Sequence, residues 1–391
     1  MRYKVQPEDF IVEEQVQLSL VSRGDFAIYR VRKRDVTTLG VRARVARTLR
    51  VPQSAVVFPA LKDKDAVVVQ HAAVRGTGPS RLAGDGFEAE FLGRSPHPLT
   101  PGNVVANRFT VVLRDLSTED AAYIGERLAQ VTRFGLPNYF DQQRFGSLSP
   151  GEVPIGKRIL QRDAEGALRA YLTQPFAGDP ARVRAFKAFA REHWRDWDAL
   201  FDAAPRPSNF RSVLTYLRDH PTADPVERAT HERKALNLVT RRLLSLYLVA
   251  YQSLLWNRIA GRWLGDMPAE PAAHVEIAGD RLPLYHELPP GFDRDAAIPL
   301  PHHRAIYSPN LSVIANQVLA EEGFAVNDLK ARILKKAYLP KGKRALLLFP
   351  QNATASSPEP DDHFPDRHRL TFIFTLPRGS YATLLLKALS L

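Results

Sequence analysis

Two short stretches carry side chains whose types and spacing could do chemistry. "ALKDKDAVVVQ", Ala60–Gln70, sets Lys62, Asp63, Lys64 and Asp65 between two apolar runs. On composition alone these four charges read as an exposed loop, solvated and partly self-compensating. The alternative is that one Asp ends a buried strand and faces a cleft. A Lys beside it would favour the ionised form, which leaves a carboxylate available as nucleophile or base at neutral pH. "GLPNYFDQQRFG", Gly135–Gly146, opens as a Gly-Pro turn and gathers Asn138, Tyr139, Phe140, Gln142, Gln143, Arg144 and Phe145. Such a loop either anchors its aromatics in a core, or reads a nucleic-acid base with an amide, a stacking ring and a guanidinium for phosphate.

These stretches need elements to hold them. "FIVEE" and "FAIYRVRK" alternate as strands do, and "TTLGVRARVARTLR" reads as a helix opened by Thr37 or Thr38. Gly76–Asn103 reads as a Gly/Pro-rich connection. "NRFTVVLRDL" is a further strand, and Ser117–Asp120 has the pattern of a helix cap. From about Gly151 the texture turns helical. "DPARVRAFKAFAREHWRDWDALF" comes first, then a long apolar helix around Leu236–Leu264. Proline-punctuated loops span Met267–Pro309, and another helix is expected near Asn327–Lys336. Strand character returns in "RALLLFP" and "RLTFIFTLP", around a polar loop Asn352–Asp366, and Ser380 is placed to cap a last helix. Strands at both ends of a helical middle suggest an α+β sheet domain interrupted by an insertion.

Composition narrows the chemistry. A chain of 391 residues with 45% hydrophobic residues suits two domains, and 54 Lys+Arg against 42 Asp+Glu gives a net charge of +12. With a pI near 9.9, this balance favours a polyanionic partner such as nucleic acid. The absence of cysteine excludes disulfides, thiolate metal sites and a Cys nucleophile, and is compatible with the cytoplasm. No P-loop, dinucleotide fingerprint, GxSxG or HExxH motif occurs. His302-His303 and His363 with His368 lie in loops without a carboxylate frame and read as solvated rather than metal-binding. Asn352-Ala353-Thr354 matches a glycosylation acceptor, but the charged N-terminus does not read as a signal peptide. Leu243–Leu255 is too short for a membrane span and reads as a buried helix.

Taken together, "PEDFIVEE" (Pro7–Glu14), "ALKDKDAVVVQ", "NRFTVVLR" (Asn107–Arg114), "GLPNYFDQQRFG", "AYQSLLWNR" (Ala250–Arg258) and "LPRGSYATLLLKAL" (Leu376–Leu389) resemble the TruD family of tRNA pseudouridine synthases. The matches run in the family's order along the whole chain. The resemblance implies an isomerase that converts uridine to pseudouridine in RNA, typically uridine 13 of a tRNA, without cofactor or metal. It also implies an α+β fold, in which a mixed or antiparallel pseudouridine-synthase sheet is split by a mainly helical TRUD insertion. The expected parts are 1–153 and 340–391 for the catalytic domain and 154–339 for the insertion. Position by position, Asp63 falls on the catalytic aspartate and Lys62 on its neighbouring lysine. Phe10, Asn138 and Tyr381 fall where the family contacts the target nucleotide, with Phe140 in the same loop.

The chain departs from the family pattern at Ala60 and Asp141, where glycine is usual, and at Val68, where Thr is common. Two other readings of the same residues stand beside this one: a non-catalytic RNA-binding protein that keeps the pocket, and a glycosidase-like hydrolase pairing Asp63 with Glu14.

Overall fold

The alternation in the first third of the chain becomes β1 (Phe10–Val16), β2 (Phe26–Arg34), β3 (Val56–Val57), β4 (Val67–Arg75), β5 (Arg81–Gly84), β6 (Phe87–Ser95) and β7 (Val104–Leu116). The computed structural model describes residues 1–391. These strands belong to a unit formed by Met1–Leu136 with Leu348–Leu391. Its sheet runs Gln351–Ala355, His368–Pro377, β7, β1, β4, β2, β6, β5, with β3 on β4 and Glu359–Pro360 on His368–Pro377. β1 and β4 are parallel, whereas the other pairs are antiparallel, so the sheet is mixed.

Register decides which side chains share a face. Phe10 lies opposite Val111, Val12 opposite Phe109 and Glu14 opposite Asn107, while Phe372 and Phe374 face Val111 and Phe109 from the far side of β7. The rings of Phe109 and Phe374 stack at 5.3 Å, and Phe10 meets Phe109 edge-on at 6.0 Å. Helix α1 (Thr38–Thr48) is capped by Thr37, whose hydroxyl accepts from Gly40 N. Its Val41 and Val45 pack with Tyr29 and Val31 of β2. Helix α2 (Thr118–Phe134) opens with a capping box, Ser117 and Asp120 bonding each other's main chain.

A buried ionic cluster joins three distant segments. Arg114 of β7, 2% exposed, grips both Asp9 oxygens, with Nε at 3.0 Å from each, and reaches Asp361 at 2.9 Å and Asp362 at 2.7 Å. Burial opposes its charge, but the bonds to Asp9, Asp362 and Asp361 outweigh that and raise its pKa. Asp362, held chiefly by the bond from Arg114, is pulled down to about 2.

The second unit, Pro137–Leu347, is mainly helical. The long helix Arg241–Gly265 buries Leu248, Tyr251, Leu255, Trp256 and Ile259. Thr240 caps it, accepting from Leu243 N. Shorter helices and the hairpin Ala273–Ile277 with Asp280–Leu284 complete the unit. The units divide at 136/137 and 347/348, so the loop after Leu136 sits with the helices, where Phe140 meets Trp256 edge-on at 5.6 Å.

Several local expectations differ from the fold. Gly76–Asn103 is not a bare connection but holds the β5–β6 hairpin, closed by Asp85-Gly86 with Gly86 at φ +72°. The polar stretch Asn352–Asp366 supplies two short strands instead of a free loop. The first helical run is two helices, Ala181–Glu192 and Trp197–Ala203, the second capped by Asp196. Pro309 starts a helix, Pro309–Glu321, because proline at the first helical position gives up an N–H that has no partner there. Residues 329–341 are non-helical, and the last helix, Ala382–Leu389, begins after Tyr381 with no side-chain cap from Ser380.

Replacing Arg114 by Met should cost about 3–5 kcal/mol in denaturant-induced unfolding, since Asp9 and Asp361 would stay buried without their cation. A loss smaller than about 1 kcal/mol would show that the cluster does not hold the sheet unit together.

Candidate active site

The turn between β3 and β4 carries Lys62 and Asp63, and five neighbours fix it. Inward positions of β2 run Tyr29, Val31, Lys33, and Lys33 has no exposed surface. Its ammonium donates to the main-chain oxygens of Asp63 and of Val36, the latter at 2.8 Å. Burial pushes its pKa down to about 8 against the attraction of Asp63, Asp65 and Asp35. Thr38, first residue of α1, accepts from Lys62 N at 3.0 Å and lies 3.4 Å from Gln70 Oε1 on β4.

The two charged side chains of the turn part company. Asp63 keeps 35% of its side chain exposed, and its Oδ2 pairs with Lys4 Nζ at 2.8 Å. The same ammonium lies 4.3 Å from the centroid of the Phe10 ring, a cation–π contact. Lys4 adopts φ +60°, a left-handed conformation that costs a β-carbon-bearing residue about 1 kcal/mol or more. Lys62 turns inward. Its Nζ is 3.2 Å from Glu14 Oε1 and donates to Asn107 Oδ1, and Glu14 Oε2 accepts from His71 N at 2.9 Å. The cation on the Asp63 carboxylate is therefore Lys4, from the N-terminal segment, and not its chain neighbour Lys62. Glu14, with a fully buried side chain, is committed to Lys62 and His71, which removes it as the second acid of a hydrolase.

The remaining candidates fall into two groups. Phe10 is 2% exposed, so its ring meets Lys4, Tyr3 and Phe109. Tyr381 follows the strand His368–Pro377, in which Leu376 lies opposite Asn107, the partner of Lys62; it is half-buried at the start of the last helix. Phe10, Lys62, Asp63 and Tyr381 thus all belong to the sheet unit.

Asn138 and Phe140 belong to the helical unit. The Asn138 amide donates to Ala345 O at 3.1 Å and accepts from Arg344 at 2.8 Å, while Arg344 Nε donates to Asn138 O at 2.7 Å. The Arg344 guanidinium covers the Phe140 ring at 4.0 Å. Asn257 of the long helix bonds both the N–H and the carbonyl of Phe140, each at 2.8 Å, and Tyr139 OH donates to Pro283 O at 3.1 Å. Loop backbone that would otherwise be buried unpaired is satisfied in this way.

The departures from the family pattern fit without strain. Ala60 is absent from the left-handed region, and Asp141 sits at φ −93°, accepting from Gln142 N at 2.7 Å to open the short turn Gln142–Phe145. Val68 is fully buried on β4 opposite Lys33. No three His, Asp or Glu side chains are placed to hold a metal ion, and no helix is long and apolar enough to cross a membrane.

Sequence reasoning missed Lys4, Lys33 and Asn107 as parts of the site and read Glu14 only as a hydrolase acid. For Glu14, Lys33 and Asn107 strand parity carried the signal. Phe10-Val12-Glu14, Tyr29-Val31-Lys33 and Val111-Phe109-Asn107 each end an inward apolar series on a polar group.

Comparison with known proteins agrees with this architecture. The family model described as tRNA pseudouridine synthase D (TruD) matches residues 1–282. A Methanocaldococcus jannaschii protein named "Probable tRNA pseudouridine synthase D 2" is 28% identical, the match covering 99% of this chain and 91% of that protein. The tRNA pseudouridine synthase D of Aquifex aeolicus is likewise 28% identical, over 100% of this chain and 98% of its own. A crystal structure of a Methanosarcina mazei protein described under the TruD name superposes with a TM-score of 0.70 at 23% identity, covering 99% of this chain and 93% of that one, and establishes likeness of fold. A mixed sheet with a helical insertion, together with a family match over most of the length, means that the chain belongs to the TruD family of tRNA pseudouridine synthases, and is an isomerase.

Proposed function

We propose that this chain converts uridine 13 of a tRNA to pseudouridine, and that Asp63 is the carboxylate that acts on the nucleoside. The observation that carries this reading is the placement of Asp63. It is the half-open acid of the turn, paired with Lys4 at 2.8 Å, on a backbone clamped from beneath by buried Lys33. The tRNA substrate and position 13 rest on the family resemblance. A cytoplasmic location goes with an RNA substrate and a chain that has no cysteine to oxidise.

In the reaction the N1–C1′ bond breaks, the uracil turns, C5 bonds to C1′, the proton on C5 leaves and the freed N1 takes up a proton, so that the product is an isomer of the substrate. The carboxylate can attack the sugar or the base, or take a proton from the ribose; all three routes need it ionised and fixed in position. The base must first leave its stack, which costs a few kcal/mol. Lys62 acts as a positioning residue: it ties the turn to Glu14 and Asn107 across β1 and β7. Phe10 supports the ammonium that pairs with Asp63. Tyr381 offers a ring to the loose uracil, and Asn138 and Phe140 order Arg344 in the helical unit.

Lys33 contributes a pH dependence of its own to stability. The unfolded chain holds this proton up to pH about 10.4, whereas the folded chain releases it near pH 8. Between those values the unfolded state binds more protons, so stability from this group rises with pH. Neutral Lys33 still has two N–H donors for its two carbonyl acceptors, so the clamp survives deprotonation.

Two outcomes are expected. Asp63→Asn should lower tritium release from tRNA labelled at uridine C5 by about a thousandfold or more, with tRNA binding retained. Wild-type rates in Asp63→Asn would refute the assignment. For Lys33, the stability of wild type relative to Lys33→Met should rise by roughly 3 kcal/mol between pH 7.5 and 10.5. A flat difference across that window would mean that the buried ammonium is not destabilised.

A further inference from the structure

The net charge of +12 is not spread evenly. Residues 330–343, "KARILKKAYLPKGK", contain Lys330, Arg332, Lys335, Lys336, Lys341 and Lys343 and no carboxylate, a local charge of +6 that equals half the surplus. All six side chains are exposed, and none lies within ion-pair distance of an Asp or Glu. Elsewhere in the same unit several cations are paired, Lys157 with Glu322, Lys187 with Asp179, Arg258 with Asp280 and Arg262 with Glu321. Like charges crowded within fourteen residues without counter-charges oppose folding, so this segment carries a cost to offset.

This strap is rigidly mounted. Leu329, Ile333, Ala337 and Leu339 are buried beneath it. Asn237 bonds Ile333 O at 2.9 Å and Lys335 N at 2.8 Å, His303 N bonds Leu329 O at 3.0 Å, and Gln252 bonds Pro340 O at 2.8 Å. Leu300 N bonds Gly342 O at 2.9 Å, and Lys343 pairs with Pro299 in a short ladder. Tyr338, 66% exposed, is held by Arg241, whose guanidinium lies 3.3 Å from its hydroxyl and 5.8 Å from its ring centroid. The charge of Arg304 joins the group: together with Lys330, Lys341 and Arg332 it lowers the pKa of His303, behind the larger effect of burial. Fixed cations with an exposed ring among them suit a sugar-phosphate backbone that runs past unstacked bases, since phosphates take the charge and an aromatic face accepts a base. A lipid surface would want a broad apolar face beside the cations, whereas Ile333, Ala337 and Leu339 of this strap are buried.

We infer that the strap 330–343 is an RNA-docking surface of the helical unit, gripping backbone phosphates of the substrate with Tyr338 stacking on a base. This rests on the reading of the chain as a tRNA-modifying enzyme, and adds a surface outside the Asp63 site.

The test uses the full chain and an unmodified tRNA transcript, with binding measured as a function of salt and pseudouridine formation measured alongside. The triple variant Lys335→Ala, Lys336→Ala, Lys341→Ala should flatten the slope of log affinity against log salt by about two to three, roughly one for each phosphate contact removed. Its loss of activity should appear in KM. Tyr338→Ala should weaken binding several-fold and Tyr338→Phe should restore it. A control of equal charge loss, Arg182→Ala, Arg184→Ala, Arg191→Ala, should leave the slope in place. An unchanged slope in the strap variant, an equal drop in the control, or binding of anionic vesicles in preference to RNA would each overturn the inference, even where wild type makes pseudouridine. A wild-type chain with neither tRNA affinity nor pseudouridine product would instead overturn the reading on which it rests.

Discussion

The site depends on an ammonium with no contact with water. Lys33 takes the inward position on β2 where alternation calls for an apolar side chain, and spends its hydrogens on two main-chain carbonyls, those of Val36 and Asp63. One carbonyl leads into α1 and the other belongs to the turn with the candidate carboxylate. Burying this charge is unfavourable, as its pKa of about 8 reports. The gain is geometric: a turn that would be a solvated loop acquires a fixed backbone, and Asp63 can project toward solvent without the turn moving with it.

That anchor is one member of a polar layer inside an otherwise apolar sheet face. Glu14, Asn107 and Gln70 sit on three strands, with Glu14 directly opposite Asn107, and Lys62 and Thr38 reach into the layer from the turn and from α1. Satisfaction is incomplete. Glu14 Oε1 is close enough to Lys62 for ionic attraction, at 3.2 Å, yet lacks the angle of a hydrogen bond, and Gln70 Nε2 and His71 Nδ1 have no hydrogen-bond partner. Each imperfectly paired buried polar atom costs about 1–3 kcal/mol. Cores selected for stability alone avoid such groups, so the layer carries a cost in stability beneath the turn it holds.

What could be read from the chain beforehand follows from what each signal depends on. The ordered motifs located the Asp63 turn and the Asn138 loop, because those types and spacings are local. Strand parity also carried Lys33, Glu14 and Asn107, but a charged residue in an alternating strand is ordinarily assigned to the wet face, so the signal was overridden. Lys4 left no trace, since its partnership with Asp63 spans 59 positions and depends on a left-handed backbone. The hairpin at Asp85-Gly86 was hidden by glycines that read as linker. The segment 329–341 misled for a specific reason: Leu329, Ile333 and Ala337 recur every four residues as in a helix, while Arg332 and Lys336 would set like charges on one helical face, and Asn237 and His303 tie the chain down in an irregular path instead.

The same side chain serves three ends in this fold, and environment alone separates them. Lys33 is buried against carbonyls, has no carboxylate of its own, and titrates low; it holds backbone. Lys62 and Lys4 are partly buried and paired, at 3.2 and 2.8 Å from their carboxylates, and they orient a charge. Lys335, Lys336 and Lys341 are exposed and unpaired, and the structure gives them nothing to do within the chain. Net charge cannot tell these classes apart, because each lysine adds one unit to the +12. Exposure combined with the absence of a counter-charge can, and it divides the cations into those that build the Asp63 turn and those that the chain itself leaves without a carboxylate. For a substrate that is both a polyanion and a nucleoside to be reacted, the fold needs both kinds, and it carries them on different units.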